Sequence, residues 1–262
     1  MKQYGLIAVF GLIAICFFAS STQAHMLWLT PDNTSPEPGQ TVTITIGFGH
    51  HYPEGKMEKA DRLKSVHAIS PDGSKIDCKR ISPSIYTFTP DQKGIYWLYA
   101  AMKPGFVSNT TKGRKLGNKE TLEKVISCSA FRISAMTAIC CGDSQWHPAS
   151  SGDHELEILP RSNPASIESG EVIEFKVLFQ GKPLSGAPIS MTGAQHGEPH
   201  HHGHEHGHHH DHMAVETDAD GIARIKLTSD GSWLFNVKYE TPYPNEALCD
   251  SFLYITSLTL DF

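Results

Sequence analysis

The chain has 262 residues, a formal net charge of −6, 19% charged residues and six cysteines. That length suffices for one large or two ordinary domains with real cores, and two are expected. The acidic balance argues against nucleic acid as a partner.

Residues 1–24 read as a secretory signal: Lys2, an apolar run from Gly5 to Phe18, then the small and polar Ala19-Ser20-Ser21-Thr22-Gln23-Ala24. The run is shorter than the roughly 20 apolar residues a membrane span needs. Cleavage after Ala24 is preferred over lipoprotein processing at Cys16, because bulky Ile15 precedes that cysteine. The mature protein is therefore expected to be periplasmic or otherwise secreted, and soluble. Five cysteines remain in it, at positions 78, 128, 140, 141 and 249, and an oxidising compartment allows disulfides among them in a pattern the sequence leaves open. The neighbouring Cys140 and Cys141 are read as facing opposite sides of a strand or turn.

Short runs rich in β-branched and aromatic residues predict strands at 26–30, 41–48, 65–70, 84–89, 94–102 and 130–139. Val42, Ile44 and Ile46 alternate with threonines, the pattern of a half-buried strand. Residues 118–125 form either a short helix or an ordered loop, and 152–169 read as a connecting stretch. A second set of strands is predicted at 171–179, 187–191, 213–216, 222–227, 233–239 and 251–260. The fold expected is all-β: two β-sandwich domains, Ig-like or transthyretin-like, over 25–155 and 156–262, with a histidine-rich loop inserted at 195–213. Gly181 to Ala187 and Thr217-Asp218-Ala219-Asp220-Gly221 resemble the loops of transthyretin-like and carboxypeptidase-regulatory sandwiches.

Ten of the 16 histidines fall in the inserted loop: His196, His200, His201, His202, His204, His206, His208, His209, His210 and His212. Neutral imidazole ligates Zn, Cu, Ni and Co, and Glu198, Glu205 and Asp211 can complete a shell. Glycines between them allow many geometries, so modest affinity and poor selectivity are expected. A more selective site is expected at the new N-terminus. There His25 offers an α-amino nitrogen and an imidazole, and His50 or His51, closing the next long strand, approaches it if the two strands pair. His67 is read as structural, and His147 or His154 is left open as a ligand.

The chain resembles the DUF4198 family, described as periplasmic nickel- or cobalt-uptake components of the NikM type. The resemblance rests on Ala24-His25-Met26-Leu27-Trp28-Leu29, Pro36-Glu37-Pro38-Gly39-Gln40, Gly47-Phe48-Gly49-His50, Gly94-Ile95-Tyr96-Trp97-Leu98, Lys103-Pro104-Gly105-Phe106 and the Thr217 to Gly221 loop. It implies capture of a transition-metal ion, Ni or Co first and Cu or Zn next, for a membrane metal transporter. Some members present a terminal amine, a backbone amide and a nearby histidine to nickel. Here the histidine comes first in the mature chain, which suits a histidine brace, a geometry that usually holds copper. No GxSxG, HExxH, phosphate-cradling or dinucleotide motif is present, so no catalytic residue is assigned. The alternatives are a histidine-brace copper oxidase and a cell-surface sandwich binding carbohydrate or protein.

Overall fold

The computed structural model describes residues 25–142, 146, 154–163, 166, 170–194 and 214–262. The first half supplies β1 (Met26–Pro31), β2 (Val42–Gly49), β3 (Leu63–Ile69), β4 (Lys75–Asp77), β5 (Lys79–Arg80), β6 (Ile85–Phe88), β7 (Gly94–Met102), β8 (Gly105–Thr110), β9 (Gly113–Leu116) and β10 (Val125–Cys141). The second half supplies β11 (Leu156–Pro160), β12 (Val172–Phe179), β13 (Lys182–Pro183), β14 (Pro188–Gly193), β15 (Ala214–Glu216), β16 (Ile222–Lys226), β17 (Ser232–Pro242) and β18 (Ser251–Asp261). A 3-10 turn lies at Ala60–Arg62, and among the described residues no helix is long and apolar enough to cross a membrane. The protein is an all-β sandwich, as expected.

The strand β7 shows why the layers stack as they do. Its side chains alternate between faces, and both faces are apolar: Ile95, Trp97 and Tyr99 join one core while Tyr96, Leu98, Ala100 and Met102 join the other. A strand buried on both sides must lie in a central layer. That layer is a ten-stranded sheet with the path β15-β14-β17-β18-β10-β7-β3-β4, onto which β8 and β9 add beside β10. The sheet β1-β2-β6-β5 covers one face through Leu27, Leu29, Ile44 and Ile46, and the sheet built on β11, β12, β13 and β16 covers the other through Ile158, Ile173, Phe175 and Val177.

Both sequence halves thus own a small sheet and share the large one. The join is a parallel pairing of β10 with β18, from Ser129↔Ser251 to Thr137↔Thr259. Parallel neighbours have no short connection, so this register needs other support. The Cys128–Cys249 disulfide supplies it at one end, and the Asp250 carboxylate there accepts from the Cys128 amide at 2.8 Å and from Lys119 Nζ at 2.6 Å. Cys78 and Cys141 remain free thiols. Cys141 belongs to the core under β1-β2 and Cys140 packs against the opposite core, so the vicinal pair faces opposite sides of β10.

One local reading needs correction. Residues 156–160 form a fully buried strand, β11, rather than a connection, because Leu156, Ile158 and Leu159 complete the second core. The segment after Gly117 is a turn in which Asn118 Oδ1 accepts from the Glu120 and Thr121 amides, and no helix forms. The hairpin of β8 and β9 has little hydrophobic alternation and was not expected. The loops around Thr217 do interlock: Thr217 Oγ1 donates to Leu184 O at 2.6 Å and accepts from the Ala187 amide at 2.9 Å.

Candidate metal centre

The antiparallel ladder of β1 and β2 pairs Met26 with Gly49 and Trp28 with Gly47. Continued one step, that register sets His25 opposite His50. The rings meet with centroids 4.0 Å apart and planes at 45°. His25 also stacks on Phe48, at 5.0 Å and 12°, and the Arg62 guanidinium carbon lies 5.6 Å from the same Phe48 ring.

The scaffold beneath is rigid. Trp28 is 2% exposed and crosses β2 at Gly47, where an added Cβ would fall 1.9 Å from the indole. Tyr52, in the turn after β2, sits edge-on to Trp28 at 5.8 Å, and its hydroxyl hydrogen-bonds Ser232 on β17. The turn carrying His50 is therefore tied both to β1 and to the central sheet. Sequence patterns flagged the histidines but not these supports, whose one legible sign is the glycine facing a tryptophan.

The two imidazoles are held in the form a metal requires. Desolvation by burial is the main cause lowering the His25 pKa, followed by the like charges of His50, Arg114 and Arg62. For His50 burial again comes first, then His51, Arg114 and Lys238. His50 Nδ1 is buried and finds no hydrogen-bond partner among the described residues. A buried imidazole nitrogen with no donor facing it is available as a ligand.

His51 is exposed in the turn, outside the ring pair. No group of three or more His, Cys, Asp or Glu side chains suited to a metal occurs among the described residues. The histidines from His196 to His212, and His147, lie outside the described residues. His67 is buried on β3 and stacks on Tyr99 at 5.5 Å, with His154 tilted against the same ring at 5.4 Å, on the side of the sheet away from His25. The thiols offer little, because burial raises Cys78 to about 12 and also raises Cys141, keeping both protonated.

His25 also borders a cleft of about 400 Å³ between the β1-β2 end, the turn at Arg62 and the β8-β9 hairpin. Sequence reading gave no sign of it, since its walls come from seven separate segments.

A search of curated proteins found no match. Three solved structures align with much of the chain. The D0-D1 domain of intimin is 12% identical, with 91% of this chain and 100% of that one covered and a TM-score of 0.22. The fibronectin(III)-like modules of Clostridium thermocellum CbhA are 11% identical, covering 88% and 94% with a TM-score of 0.19. The chicken CNTN1 FN1-FN3 domains are 11% identical, covering 88% and 67% with a TM-score of 0.20. A family model described as a domain of unknown function matches residues 22–241. With most of its length so matched, this chain belongs to the DUF4198 family.

Proposed function

We propose that this protein is an extracytoplasmic transition-metal-binding protein that captures Ni²⁺ or Co²⁺ for a membrane uptake transporter. The observation that carries this reading is the His25–His50 contact, 4.0 Å between rings, with the His50 Nδ1 buried and unpartnered among the described residues. Cleavage after Ala24 would add the α-amino nitrogen of His25, giving two imidazoles and one amine on a rigid strand end. Such a set leaves coordination positions open for a ligand that accompanies or receives the metal. The tract from His196 to His212 acts in this reading as an adaptable collector that raises the local metal concentration. The Cys128–Cys249 disulfide supports an oxidising compartment.

The same donors make a histidine brace, so copper is the competing metal and an oxidase the competing activity. Calorimetric titration of the N-terminally processed protein with Ni, Co, Cu and Zn, beside His25→Ala, His50→Ala and a 196–212 deletion, tests the reading. The tight phase is expected to vanish in both point variants and survive the deletion. Tight binding unaffected by either point variant would remove His25 and His50 from the site. Copper preference with peroxide formation under reductant would favour the oxidase.

A further inference from the structure

We propose that the cleft beside His25 binds a small amphipathic carboxylate, with its apolar body on the cleft floor and its anionic head among four basic side chains. The floor is an uncapped end of the core beneath β1 and β2. Phe131 and Ile133 on β10 lie level with Leu253 and Ile255 on β18, and Phe131 and Leu253 are only partly buried. Leaving core side chains open in this way costs hydrophobic stabilisation, which an apolar ligand would restore.

The rim is cationic. Arg62, Lys103, Arg114 and Lys115 line it, all exposed, and no Asp or Glu is among the lining residues. None of the four forms an ion pair among the described residues. In a chain of net charge −6 such a cluster without counter-charge is a site for an external anion. The cleft volume of about 400 Å³ falls in the range of small-molecule sites, and its mostly apolar walls with a few charged groups at one side match an amphiphile better than a naked inorganic anion. Leu116, 65% exposed on the hairpin edge, extends the apolar wall beyond the cations, where a chain of several carbons would reach it.

This proposal stands apart from the metal reading, and its test is run on protein stripped with EDTA as well as on nickel-loaded protein. Sodium decanoate is titrated calorimetrically into the intact protein, with decyltrimethylammonium as the cationic counterpart. Decanoate is expected to bind one-to-one in both preparations, and the cation not to bind. The double variant Arg114→Gln/Lys115→Gln, at two exposed positions, is expected to weaken decanoate about tenfold and to flatten its salt dependence. Leu116→Asp is expected to weaken it further at unchanged melting temperature. Failure of decanoate to bind, equal binding of the cationic amphiphile, or an unchanged affinity in the double variant would each overturn the proposal. So would co-sedimentation with vesicles of anionic phospholipid in the absence of any one-to-one decanoate binding, which would make the cleft a membrane contact. Loss of metal binding with decanoate binding intact would sink the metal reading alone.

Discussion

The Trp28 indole lies against Gly47 so closely that a methyl group at that glycine would fall 1.9 Å from the ring. Gly47 therefore does more than complete β2, since its bare face lets Trp28 cross the strand and anchor the end of β1 beside His50. Gly47→Ala is expected to destabilise the protein by about 1–3 kcal/mol, the range for overpacking a filled site. It should also weaken metal binding, because the strand end carrying His25 must move. Denaturant melts and nickel titrations of the variant check both; an unchanged midpoint would show that Trp28 repacks freely.

The depressed pKa values of His25 and His50 fix the sign of a pH effect. In the unfolded chain both imidazoles protonate near the ordinary histidine value of 6.5. The folded protein takes up those protons only at lower pH, so their contribution to stability is present above 6.5 and is lost as pH falls through the folded values. Metal binding follows the same direction, since protons and metal compete for the same nitrogens. Half-release of nickel is thus expected at a pH below 6.5, and a free α-ammonium at His25 would push the imidazole in the same direction. Competition titrations across pH 5 to 8 measure it; release above that value would contradict the burial argument.

The strands were legible where one physical cause acted alone. Alternating Val42, Ile44 and Ile46 announced β2, and the unbroken apolar run of β7 gave its limits of Gly94–Met102 directly. β11 was hidden because Pro160 and the polar residues after it look like a linker, while the burial of Leu156 and Ile158 depends on partners in β12 that local pattern does not reveal. The approach of His25 to His50 could be framed as a condition on strand pairing, and the Met26↔Gly49 register meets it. The cationic cleft could not be framed at all. Arg62 and Arg114 are 52 positions apart, and only the folded hairpin brings them to one rim.

Reduction of the Cys128–Cys249 bond should loosen the parallel join of the two halves. The bond closes a separation of 121 residues between buried cysteines at the start of the β10–β18 pairing. Loss of a native disulfide typically costs about 2–5 kcal/mol, and long loops lie at the upper end in the chain-entropy model. Cys128→Ser/Cys249→Ser is expected to lower the denaturation midpoint accordingly. Its hydrogen-exchange protection should fall first along β18. Uniform protection in the double variant would mean that packing alone holds the parallel register.

Removal of residues 196–212, replaced by a four-residue Gly-Ser linker, separates the collector from the scaffold. The flanking strands β14 and β15 pair directly through Ile189↔Val215 and Ser190↔Ala214, and β15 lies at the sheet's edge. Closing that hairpin with a loop several-fold shorter returns about 1 kcal/mol of closure entropy, since each halving of loop length is worth about 0.6 kcal/mol. The deleted protein is therefore expected to fold, with a melting temperature equal to or slightly above that of the parent. Its nickel isotherm should lose the weak, multi-equivalent phase and keep the single tight one. If the tight phase disappears with the tract while His25 and His50 remain, the specific site belongs to the histidine run and the ring pair at the end of β1 and β2 is structural.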